Sequence, residues 1–126
     1  MKLQAILAAR GFRDGLLSLN DRDLAIRLMR LQEVSVAYTD QWTAIWHMRT
    51  GEPSLSTPRS RAKIAGLRWF WRIYGNEMSD AESAAFFDRA LRLFGVNALE
   101  IQDGDDAPPH VEPRGDLLVE YHEQLR

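Results

Sequence analysis

Arg61, Arg68 and Arg72, with Trp69 among them in the stretch RSRAKIAGLRWFWRIYG (residues 59–75), are the residues whose types and spacing best suit chemistry on a ligand. On a helix the three guanidinium groups share one face, where they can follow a backbone of repeating phosphates. An indole beside them can stack on a base. Arg59 and Lys63 at the start of this helix add to the positive field, and the helix N-terminus points the same way. The expected nucleic-acid-binding set is therefore Arg59, Arg61, Lys63, Arg68, Trp69 and Arg72.

Three successive aromatics, Trp69, Phe70 and Trp71, cannot share one helix face, because neighbours stand about 100° apart. Projected on a helix, Ile64, Leu67, Phe70, Trp71 and Tyr74 fall within an arc of roughly 120° that reads as the core face. Trp69 is left over. Its alternatives to base stacking are burial under the N-terminal segment or a C-terminal helix, or service as an anchor in a protein–protein interface.

Other chemistry-bearing residues form no catalytic pattern. His47, His110 and His122 make no H-x-x-x-H or H-E-x-x-H pair. Asp103-Gly104-Asp105-Asp106 opens like a calcium loop, but Arg114 stands where an EF-hand needs its Glu, and Pro108 and Pro109 fall inside. There is no P-loop, no dinucleotide fingerprint and no nucleophile elbow. The chain has no cysteine, which excludes disulfides, thiolate zinc sites and a Cys nucleophile. The expectation is a non-enzyme that needs no metal and no cofactor.

The 126 residues, 45% hydrophobic and 27% charged, suit one globular domain. The net charge of −2 conceals a division. Residues 1–99 hold 14 basic and 10 acidic side chains, whereas residues 100–126 hold 2 basic and 8 acidic ones. The acidic end suits solubility, folding over the basic face, or docking on a basic partner. No apolar run approaches the roughly 18 residues that would span a bilayer. The N-terminus lacks an h-region and a small-residue cleavage site, so the cytoplasm is the expected location.

The elements that must position these residues are helical, and no period-two alternation suggests a sheet. Asn20 suits an N-cap with Asp21 and Asp23 in the first turn. Leu24, Leu28, Leu31, Ser35, Tyr38, Trp42 and Ile45 then recur at 4-3 spacing up to Gly51, which predicts a long central helix over about 21–50. Its seam offers a route to self-association, although Ser35, Tyr38 and Trp42 make it a poor coiled coil. Thr57 and Pro58 suit the start of the basic-aromatic helix, which runs to Gly75. Ser79 and Glu82 form a capping box for a helix ending at Gly95, with Phe86, Phe87, Ala90, Leu91 and Phe94 on one face. Gly11 and Gly15 divide the N-terminal segment into one kinked helix or two short ones. The stretch 102–116 reads as an acidic, Pro-containing loop. Leu117, Leu118, Tyr121 and Leu125 suit a short C-terminal docking helix.

The fold class expected is all-α, a four- to five-helix bundle around the long helix. Residues 1–101 form its helical domain, and residues 102–126 supply the loop and docking helix of the same domain. The function expected is a small accessory subunit of a larger nucleic-acid–protein assembly. It would touch the backbone of a single strand or heteroduplex. Small subunits of CRISPR-type effector complexes share this size and class, with no shared motif. The alternative is a protein-only adaptor or a phage- or plasmid-type inhibitor that docks on a partner.

Overall fold

The computed structural model describes residues 3–31, 35–42, 44 and 57–104. Their regular elements are helices: α1 (Leu3–Ala8), α2 (Asn20–Met29), α3 (Arg61–Tyr74), α4 (Asp80–Phe94) and α5 (Ala98–Gln102), with a single 3₁₀ turn at Gly75–Glu77 between α3 and α4. Among the described residues there is no sheet.

The hub is α3. Ser60, in extended conformation, caps it by accepting a hydrogen bond from the Lys63 N–H at 3.2 Å. Thr57 and Pro58 therefore do not start the helix; they lie in a turn that precedes it. Leu67, Phe70 and Tyr74 of α3 join Phe86 and Ala90 of α4, and Val96 and Ile101 near α5, in the main core. Leu67, Phe70 and Tyr74 of the expected apolar arc are buried, with Ile64 and Trp71 half-buried, but α3 also buries Ala65, Gly66 and Trp69 on its other side. Its aromatics interlock with α4: the Phe70 and Phe86 rings stack at 5.8 Å, and Trp71 meets Phe87 at 4.6 Å.

Helix α4 opens on the capping box read from the sequence. Ser79 Oγ accepts from the Glu82 N–H, and Glu82 Oε2 accepts from the Ser79 N–H. It ends at Gly95, whose φ of 67° is the left-handed cap conformation. The short α5 uses the same device, with Asn97 and Glu100 as the box.

Helix α2 departs most from expectation. It stops at Met29, and the described residues 35–42 carry no helix, so the long central helix and its dimerisation seam are not formed there. Tyr38 and Trp42 are 94% and 93% exposed and Ser35 is exposed too, so these described positions of the 4-3 pattern bury nothing. A helix without a packed face has little to sustain it. Val34 and Val36 flank Ser35, a poor run for helix continuation. Asn20 does not act as the cap either. Leu19 precedes the helix in left-handed conformation, with no side-chain capping bond. Ile45 and Gly51, together with the loop and docking helix expected beyond residue 104, lie outside the described residues.

The N-terminal segment forms α1 and then crosses α3 as irregular chain. Leu16 and Ser18 are buried in this crossing. Gly66 makes it possible: a Cβ there would sit 2.6 Å from Ser18 Cβ. A second, smaller cluster of Ala9, Leu24 and Leu28 joins this segment to α2.

Candidate functional site

The six residues expected to bind nucleic acid have different fates. Trp69 is 2% exposed, and the Arg13 guanidinium lies over its ring at 5.1 Å. The N-terminal segment covers it, so base stacking by Trp69 is corrected to burial. Lys63 is 6% exposed, with its ammonium 4.5 Å from the centre of the Phe94 ring. Burial pushes its pKa down. It is a packed cation, not a surface one.

Three arginines converge on α5. Arg59 pairs with Glu100 at 2.8 Å and also donates to the Gly95 carbonyl. Its backbone φ of 57° is strained for a non-glycine residue, and its N–H is tied to the Phe94 carbonyl at 3.1 Å. Arg68 donates through Nε to the Glu100 carbonyl at 2.5 Å, and Arg72 through Nη2 to the Gly104 carbonyl at 2.7 Å. Of the stripe read from the sequence, Arg68 and Arg72 hold the end of the chain's own α5, together with Arg59 from the preceding turn. Arg61 is exposed and pairs with no carboxylate among the described residues.

A second constellation lies wholly inside. Asp23 is 0% exposed. Its Oδ1 accepts from Arg13 Nε at 3.2 Å and from the Tyr74 hydroxyl at 2.6 Å. Its Oδ2 accepts from Arg27 Nε at 3.1 Å and Nη2 at 2.8 Å. Arg27 also reaches the Ala9 carbonyl. Burial, then the Asp23 hydrogen bond and charge, push the Tyr74 hydroxyl pKa up. The cluster joins the N-terminal segment, α2 and α3, and its carboxylate meets no solvent. This is the arrangement of a structural tie.

The described residues also form an open groove of about 450 Å³ walled by α2 and α4. Its floor is apolar: Ile26, Phe70, Tyr74, Met78 and Phe86. Its rim is charged: Arg22 and Arg30 from α2, Glu77 from the 3₁₀ turn, and Glu82 and Arg89 from α4. Arg30 pairs with Glu77 and lies over the Tyr74 ring at 5.3 Å. Glu82 is engaged by the Ser79 cap, whose backbone N–H holds its pKa down. Neither Arg22 nor Arg89 pairs with a carboxylate among the described residues.

Of these rim residues only Glu82 was named from the sequence, as a helix-capping residue and not as part of a site. The only local signal is the i, i+4, i+8 spacing of Arg22, Ile26 and Arg30. His47, His110 and His122 lie outside the described residues. Among the described residues, no three His, Asp or Glu come together as metal ligands, and no helix is long and apolar enough to cross a membrane. No protein-family model, curated protein or solved structure matches the chain.

Proposed function

We propose that this chain is a non-enzymatic interaction domain of the cytoplasm that docks on a partner protein through the α2–α4 groove. The observation that carries this reading is the pairing of an apolar floor with two rim arginines that have no carboxylate among the described residues. Apolar surface ringed by charge is the usual anatomy of a protein contact. A photo-crosslinking amino acid at Ala85, which lines the groove, is expected to give one discrete protein adduct in the cell of origin. The same group at Gln4 on α1 should not give it. Capture of nucleic acid, or of nothing, at Ala85 would overturn the reading.

The exposed Arg61, with the outer edges of Arg59 and Arg72, favours a second reading, a small subunit of a nucleic-acid–protein assembly. Fluorescence anisotropy with labelled single- and double-stranded oligonucleotides, run across a salt series, tests it. Salt-steep binding that Arg61→Glu weakens would support this reading over the first.

A further inference from the structure

We propose that the groove receives the apolar face of an acidic amphipathic helix from a partner protein. This rests on the reading of the groove as a protein-docking surface and names the chemistry of what docks there.

Shape comes first. Two helices form the walls and a third contributes to the floor, so the vacant space is that of one more helix. Arg22, Ile26 and Arg30 on one wall, and Glu82, Phe86 and Arg89 on the other, are each spaced by helical turns. At 1.5 Å per residue the walls run about 10–12 Å, room for roughly two turns of an occupant. Half-buried Ile26 and Met78, lying over the buried Phe70 and Phe86 rings, offer the apolar bed that anchors at i, i+3 or i+4, and i+7 would enter. The described residues present no sheet edge, so addition of a strand has no template here.

Charge then selects the occupant. Arg30 and Glu77 neutralise each other, and the Glu82 carboxylate is held at the N-terminus of its own helix. Arg22 and Arg89 remain, one on each wall. A helix whose apolar stripe is flanked by carboxylates would satisfy both guanidinium groups as it seats. A basic helix would bring like charges together on both sides.

The test uses the full chain and a displayed library of helix-forming peptides about 16 residues long. Enriched peptides are expected to carry the i, i+3/i+4, i+7 apolar pattern flanked by Asp or Glu. Their affinity, read by anisotropy, is expected to fall about tenfold on the Arg22→Glu/Arg89→Glu variant. Peptides with Lys in place of those acids should regain affinity for that variant, which also shows that it is folded. Neutral or basic peptides that are lost on Met78→Asp would overturn the acidic partner and leave the groove as a docking surface. Selected peptides indifferent to both variants, or no selected peptides, would overturn both statements. A dimer of the chain by sedimentation that Arg22→Glu/Arg89→Glu dissociates would assign the groove to a second copy and overturn the proposal.

Discussion

A carboxylate with no exposure is tolerated at Asp23 because four donor contacts from three side chains surround its two oxygens. Two of those side chains are arginines, and Asp23 is the carboxylate they share. Asp23→Ala is therefore expected to cost about 3–5 kcal/mol in urea denaturation, since it removes the buried carboxylate that Arg13 and Arg27 share. Tyr74→Phe removes one hydrogen bond to a charged acceptor and should cost about 1.5–3 kcal/mol. Gly66 is the other position where one atom decides. Alanine normally favours a helix, but here its methyl would overlap Ser18 Cβ and press on the Ser18 backbone, 3.1 Å away. Gly66→Ala should destabilise by about 1–3 kcal/mol, as overpacking does, and calorimetry would show it as a lowered Tm. From the sequence, Asp23 reads as a first-turn acid and Tyr74 as part of the core arc, whereas Gly66 and the two arginines carry no mark. What each of them meets depends on how the N-terminal segment crosses α3.

Among the elements, α3 and α4 were legible because their signals are local: a capping box at Ser79, a left-handed glycine at 95, and apolar arcs of helical period. Helix α5 carries the same kind of signal in Asn97 and Glu100, but its five residues are too few to show a period. Helix α2 was overextended for the opposite reason. A periodic pattern persists through Ser35, Tyr38 and Trp42, yet no surface packs on it. Helix α5 should also answer to pH. The Arg59 side-chain hydrogen bond, then the Asn97 N–H, hold the Glu100 carboxyl below its ordinary value of 4.5. A depressed folded-state pKa gives a contribution that is present above pH 4.5 and lost as pH falls through the depressed value. Protection factors of the α5 amides, which correct for slower intrinsic exchange in acid, are expected to fall on acidification below that point. Glu100→Gln should show the lower protection already at neutral pH, with a flatter acid profile.

At the scale of the whole molecule, the candidate site was not legible, because it belongs to no single segment. Its walls come from residues 22–30 and 82–89, and its floor adds residues 70, 74 and 78. The basic stripe of α3 was visible from the sequence, but the Glu100 and Gly104 carbonyls that occupy Arg68 and Arg72 stand 32 residues further along the chain. The burial of Trp69 beneath Arg13, set against the near-complete exposure of Trp42, has an optical consequence. The indole emission of the chain is a composite of shielded and open rings. Acrylamide should quench the open component readily, and Trp42→Phe should remove much of what is quenched. Asp23→Ala loosens the tie that holds Arg13 in place, and should make part of the shielded emission quenchable. Trp42 and Trp69 are two of the chain's four tryptophans, so variants that keep one or the other would report separately on the surface and on the seam where the N-terminal segment meets α3, with no added label.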